Sequence, residues 1–519
     1  MKNRKIRIIS PDNHDVIIQN NLFVVLPDNS DSKNVNDNNI TMSFISFNFL
    51  IFFPVLTLLF WMTPAKYKWL TLLIASYFFY INMKPVYALL IFGVTASTYV
   101  FTRLIDNTKI ESRKKVFMII NIVLILLPLF FFKYFNSFNE GVFEILKSLN
   151  IRWPLPEIKF FLPVGISFYT FMAIGYTVDV YNEEIDSEKN IGILALFVSF
   201  FPLILSGPIE RAKNMLPQFK TFRKLDYTMV IQGVKLILWG YFMKLVVADR
   251  VGIYIDTILN NIDNHNGTSI LFASFLYPFQ VYADLGGYSL IAIGSAKMLG
   301  INVMQNFNRP FFATSISELW HRWHISLISW LTDYIYTPLS FTFRKYQIKG
   351  IILGIMITFL ISGIWHGAAL TFIVWGLIQG IGLSIEALLN KRKILFEKKY
   401  ILKDKGWYIF LGVFLTFLIF SGSLVFGKAP NINLALLVFS KIFSSSGDLF
   451  IGEPTIFLLS ILSVSIMLSK DFLDEYYPSR INLFNSPNLF VRLLSYGSVL
   501  IIILAFGVFD GGQFIYFQF

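Results

Sequence analysis

From residue 44 to the C-terminal region the chain is a near-continuous series of apolar runs divided by short polar turns. A helix of about 17 to 25 apolar residues spans the hydrocarbon core of a bilayer, and most of these runs approach that length. They fall near residues 44–62, 69–83, 86–104, 115–135, 160–181, 191–207, 228–248, 268–294, 350–366, 368–388, 407–427, 432–443, 454–469 and 492–509. With 55% hydrophobic and only 15% charged residues, the chain carries more apolar surface than a soluble domain could hide. The expected fold is therefore an all-α polytopic integral membrane protein with about 11–14 transmembrane or re-entrant helices.

The formal net charge is +12, but Lys and Arg cluster in short loops between apolar runs, as the positive-inside bias predicts. The charge reads as a topology signal, and nucleic acid is not an expected partner. Strongly basic stretches at 103–115 and 390–405 are expected on the cytoplasmic side, which puts Met42 outside. A third basic stretch, Glu210 to Lys224, should also be cytoplasmic, yet three full spans after Lys115 would leave it outside. One of the runs 160–181 or 191–207 is therefore expected to be re-entrant or to lie flat. Such backbone is tolerated at membrane depth only where protein or a cavity surrounds it, which hints at a central funnel.

Residues 1–41 are polar and rich in Asn and Asp, without a signal-peptide pattern. They are expected to be disordered or a mis-assigned start, with residues 42–519 forming one transmembrane domain. The chain has no cysteine, which excludes disulfides, thiolate metal sites and a cysteine acyl-enzyme.

Three of the five histidines lie in two places, ELWHRWHISLISWLTDYIYTP from Glu318 and SGIWHGA around His366. His321 and His324 are three apart, with Glu318 three residues earlier and Trp320 and Trp323 interleaved. On a continuous helix they would share a face. Ionisable groups inside a membrane are costly unless they face a cavity or a partner, so they mark function. Burial disfavours an imidazolium, which leaves a buried imidazole available as a base near neutral pH. A histidine beside tryptophan can also be a simple interfacial anchor, and His321, next to Arg322, fits that description best. Glu318 and His321 also have the Glu-x-x-His spacing of di-iron carboxylate sites, but no second such pair is present, so no metal is expected.

WHRWHISLISWLTDYIYTPL followed by SGIWHGAALTFIVWGLIQG resembles the paired signature of the membrane-bound O-acyltransferase family, in its bacterial alginate and peptidoglycan O-acetyltransferase branch. The resemblance takes in FNFLIFFPV, GISFYTFMAIGYTVDVY, FPLILSGPIERAKNMLPQF, FQVYADLGGYSLIAIGSAKMLG, FNRPFFATSISELW and the closing GGQFIYFQF, so it covers nearly all of residues 42–519. It implies helices around a central tunnel, in a multi-pass protein of the bacterial inner membrane. It also implies transfer of an acyl group, typically acetyl, from a cytoplasmic thioester such as acetyl-CoA or an acyl carrier to the hydroxyl of an exported polysaccharide. The family's catalytic histidine falls on His366 and its second site histidine on His324. Glu318, Trp320, His321, Arg322, Trp323, Asp333, Tyr334 and Trp365 are candidates to line the site. Arg211, Lys213 and Arg309 are candidates for the donor's phosphates.

Several positions depart from the branch pattern. His321 and Arg322 stand for an Arg pair, Thr332 for an Arg, Ser340 and Phe341 for two glycines, and Leu285, Gly286 and Leu290 for Phe, Ser and Asp. These leave the acceptor open, including D-alanyl transfer to teichoic acid. Because the external loops are short, a separate extracytoplasmic protein, of SGNH type by the resemblance, is expected to complete transfer to the polymer. A non-enzymatic glycan exporter and a metal-dependent membrane oxidase are the other classes that the composition allows.

Overall fold

The computed structural model describes residues 42–83, 85–149, 163–221, 224–478 and 483–509, with the backbone of three short strands ahead of them. Those strands, β1 (Ile6–Ile9), β2 (Asp15–Gln19) and β3 (Leu22–Val25), pair antiparallel in sequence order. The expected polar extension, residues 1–41, otherwise lies outside the described residues, as does the closing GGQFIYFQF.

The rest is helical. After α1 (Phe47–Met62) and α2 (Lys68–Ile81), α3 (Pro85–Asn107) and α4 (Glu111–Lys133) form an antiparallel hairpin whose turn lies in the first basic stretch. That turn marks the basic side of the protein. Lys133 ends α4 on the opposite side, and α5 (Phe135–Ser148) follows it directly. Next, α6 (Ile166–Tyr181) returns to the basic side, where Glu183 pairs with Lys114.

The parity conflict is resolved in the next segment. Short helices α7 (Ile191–Ser199) and α8 (Phe201–Ile204) enter the bundle and turn back, and α9 (Ala212–Lys220) lies again at the basic side. Lys220 pairs with Glu188 at 2.6 Å, tying the exit of this loop to its entry. At the tip, the Phe201 N–H donates to Ser76 Oγ in the middle of α2 at 3.1 Å. The loop is wholly buried there, in keeping with the rule that irregular backbone at membrane depth is enclosed by protein.

A 33-residue rod, Tyr227–Leu259, is built from α10 (Tyr227–Tyr241), a π-helical stretch at Phe242–Ala248 and α11 (Asp249–Leu259). It packs closely against α12 (Gly267–Met298), because at Gly240 a Cβ would stand 2.6 Å from the Gly287 carbonyl oxygen. Short helices α13 (Ile316–Arg322), α14 (Ile325–Leu331) and α15 (Thr337–Thr342) follow, with a second π-helical stretch at Thr332–Tyr336. Then come α16 (Ile348–His366), α17 (Leu370–Tyr400), α18 (Gly406–Lys428), α19 (Ile432–Ser444), α20 (Pro454–Tyr476) and α21 (Leu489–Phe506).

Among the described residues, eight of these helical rods are long and apolar enough to cross a membrane. Their outward faces carry exposed side chains such as Leu89, Phe410 and Ile501, as a lipid-facing surface requires. The all-α polytopic expectation holds for the chain from residue 42. One expectation is corrected. The basic stretch at 390–405 is a loop only after Tyr400, since α17 continues through its lysines and arginine, good helix formers whose long stems can reach an interface. Within α16, Gly363 lets α17 approach, since a Cβ there would meet the Phe372 carbonyl oxygen at 2.5 Å.

Candidate functional site

His324 owes its position to a helix break. The Trp323 N–H bonds back to Leu319 O, and His324 itself adopts φ +45 and ψ +50 before α14 begins. An extended segment holds the break open: Asn308 N–H donates to Arg322 O, and Ile325 N–H donates to Asn306 O, each at 2.8 Å. The Asn306 carboxamide oxygen accepts from both the Ser326 N–H and its hydroxyl. The expectation that Glu318, His321 and His324 share one helix face is thereby overturned, because these contacts rotate His324 into the core.

His366 is the last residue of α16, and Gly367 follows in extended conformation. The two histidines line one cavity of about 50 Å³ together with Trp320, Trp323, Trp375, Tyr277 and Phe420. The Trp365 ring packs beside both, with its centroid 6.3 Å from that of His324 and 4.7 Å from that of His366. Behind Trp365, Phe171 stacks at 5.4 Å and Trp330 stacks on Phe171 at 4.2 Å. Trp320 is oriented by Gln379, which accepts from its Nε1 at 3.1 Å and itself donates to Ser423. His324 is 3% exposed, its Nδ1 has no hydrogen-bond partner among the described residues, and the residue lines an apolar, aromatic chamber.

A larger cavity of about 480 Å³ adjoins this chamber and shares Tyr277, Phe372 and Gly427 with it. It is lined by Gly367 to Ala369 and by the far ends of α4, α11 and α18, so it lies away from the basic side. Its floor holds a buried ionic cluster in which Lys244 Nζ contacts Asp249 and Asp284, each at 2.7 Å. At the margin, Lys428 pairs with Asp256 at 2.7 Å. Lys133 and Gln280 also line it. None of these was singled out from sequence, although Lys244 and Asp284 fall inside apolar runs, which is the signal that marks them.

The remaining candidates lie elsewhere. Glu318 accepts from Arg322 at 2.7 Å and from the Thr314 N–H and hydroxyl, each at 2.8 Å. Burial alone would raise its carboxyl pKa, but the Thr314 and Arg322 hydrogen bonds outweigh that and hold it below the usual value. Arg322 also pairs with Glu475, as does Arg309. The exposed His321 ring faces Ser317 O at 2.6 Å. Arg211 pairs with Asp333 at 2.7 Å and lies over the Tyr334 ring, while the Tyr334 hydroxyl donates to Asp179 at 2.6 Å. Lys213 is exposed on α9. Glu318, His321, Arg322, Asp333 and Tyr334 therefore belong to networks outside the histidine chamber, and of the site-lining candidates only Trp320 and Trp323 line it, with Trp365 packed alongside.

Comparison with known proteins gives a consistent set of relatives. The profile of MBOAT, the membrane-bound O-acyltransferase family, matches residues 180–426. The probable alginate O-acetylase AlgI of Pseudomonas aeruginosa is 34% identical over 399 residues, covering 76% of this chain and 73% of that protein. The peptidoglycan O-acetyltransferase of Helicobacter pylori is 31% identical over 410 residues, covering 73% and 74%. The teichoic acid D-alanyltransferase of Streptococcus thermophilus is 28% identical over 285 residues, covering 50% and 68%.

Proposed function

The chain belongs to the membrane-bound O-acyltransferase family and is an acyltransferase, and from that premise we propose that it carries an acetyl group from a cytoplasmic thioester to an extracytoplasmic hydroxyl, with His366 as general base. The observation that carries this reading is the shared chamber of His324 and His366 at the foot of a larger cavity facing away from the basic side. In the reaction, His366 takes the proton of the acceptor hydroxyl as its oxygen attacks the thioester carbonyl. The carbon–sulfur bond then breaks, and the departing thiolate receives the proton back from the imidazolium. Proton transfer of this kind contributes about 10²- to 10⁴-fold. His324, its Nδ1 without a hydrogen-bond partner among the described residues, is suited to orient the acceptor or to donate to the carbonyl oxygen as charge develops there.

The donor enters from the basic, cytoplasmic side, and acetyl-CoA is the first candidate. Arg309 is engaged by Glu475 and Arg211 by Asp333, which leaves exposed Lys213 the freest of the three proposed phosphate contacts. The acceptor is an extracytoplasmic polysaccharide, reached through a separate SGNH-type partner, and the membrane is the bacterial inner membrane. The relatives named for O-acetylation of alginate and peptidoglycan support acetyl as cargo. D-alanyl transfer is the second reading, supported by the teichoic acid relative.

The test is thiol release from acetyl-CoA by the purified protein, with and without His366→Ala. Turnover falling by about 10² or more supports the assignment. Undiminished turnover in the variant refutes it, and activity only with a D-alanyl carrier thioester selects the second reading.

A further inference from the structure

We propose that the C-terminal end of α4 positions His366, with Lys133 and Tyr134 pinning the last carbonyls of α16. The proposal rests on the reading of His366 as the general base. The last carbonyls of an α-helix have no partner within the helix and must find one elsewhere. In α16 the Gly367 N–H reaches back to Gly363 O at 3.4 Å, and the next two carbonyls are taken by α4. The Tyr134 hydroxyl donates to Ile364 O at 2.9 Å, and Lys133 Nζ donates to Trp365 O at 2.6 Å. Lys133 Nζ also lies 5.7 Å from the centroid of the Trp365 ring, which packs beside both histidines.

Two independent elements thus meet at the peptide that carries His366. A cation at a helix C-terminus is favoured by the dipole, so the charge of Lys133 suits the place as well as its hydrogen bond. The other lysines lining the larger cavity, Lys244 and Lys428, are matched to carboxylates, whereas Lys133 binds the helix end itself. Beyond His366 the chain has no slack, because a Cβ on Gly367 would lie 2.3 Å from the Phe372 ring. With the far side blocked, the orientation of the imidazole depends on what holds the Trp365 carbonyl. A displacement of about 1 Å at such a group can cost about 10²-fold in rate.

The experiment compares Lys133→Met, Lys133→Arg and Tyr134→Phe in the full-length protein, with acetyl-CoA as the donor probe. Lys133→Met is expected to lower kcat by about 10- to 100-fold while KM for acetyl-CoA stays within about twofold. Lys133→Arg, which keeps a cationic donor, restores most of the loss, and Tyr134→Phe gives a milder loss of the same kind. In parallel, the rate at which diethyl pyrocarbonate modifies His366 is followed by peptide mass spectrometry. It is expected to change in Lys133→Met and to return in Lys133→Arg. If the wild-type protein does not turn over acetyl-CoA, the donor reading fails and the modification rates still decide this proposal. Unchanged kcat and unchanged His366 modification in Lys133→Met overturn it, as does an equal loss in Lys133→Met and Lys133→Arg. If Lys133→Met does not fold, the same measurements on Tyr134→Phe decide, and wild-type behaviour there overturns the proposal.

Discussion

At the residue scale, Glu318 shows how a side chain selected for chemistry can be explained by structure. Its carboxylate is bound by Thr314 and Arg322, and Arg322 in turn joins it to Glu475 in the last turn of α20. Because these hydrogen bonds hold its pKa below the ordinary carboxylate value, the folded state binds a proton less readily than the unfolded chain. The stabilisation is present above the unfolded value and is lost as pH falls through the folded one. Thermal unfolding of the purified protein is therefore expected to lose midpoint steeply on acidification below about pH 4.5, and Glu318→Gln to flatten that slope. An identical acid slope in the variant would remove Glu318 from the account. Sequence reasoning ranked Glu318 with the histidines because the i, i+3 spacing is visible, whereas the Thr314 and Glu475 contacts that consume it are tertiary. The reverse holds for Lys244 and Asp284, which lie in separate apolar runs and meet, together with Asp249, only in the fold.

At the element scale, the decisive event is the break between α13 and α14, which takes His324 off the face of Glu318 and His321 and into the chamber. No glycine or proline stands at 322–324, so local sequence carried no sign of it. The break is imposed by the extended segment 302–308, above all by Asn306, which satisfies Ser326 and Ile325 from outside the helix. Asn306→Ala would leave the buried Ser326 N–H and hydroxyl without their acceptor, at a cost of about 1–3 kcal/mol. The expected result is a lowered unfolding midpoint together with reduced acyl transfer, whereas Asn306→Asp, which keeps the accepting oxygen, should retain more of both. Equal behaviour of the two variants would show that the oxygen does not hold the break. His366 was easier to locate, since its place at the end of an apolar run beside two small residues follows from the run itself.

At the scale of the whole molecule, the apolar runs foretold the helices well because hydrocarbon imposes one length and one backbone solution on every span. They foretold less well how the helices end. Charged residues prolong α17 to Tyr400, and the 191–207 run divides into α7 and α8 around a turn at Phe200. The charge count predicted that one segment in this region fails to cross, and the ion pair between Glu188 and Lys220 shows which one. This has a direct experimental consequence, made clean by the absence of cysteine from the chain. Single cysteines at Lys189 and Lys213, at the entry and exit of the re-entrant loop, are expected to react with a membrane-impermeant maleimide from the same side as one at Lys403, which follows α17. A cysteine at Asn261, beyond α11, should react only from the opposite side. If Lys189 and Lys213 label from opposite sides, the loop is a full span. The basic stretch after Glu210 would then lie on the outer face, where it could not meet a cytoplasmic donor. His366, on a hairpin whose sidedness follows from Lys403 alone, would keep its place facing the acceptor.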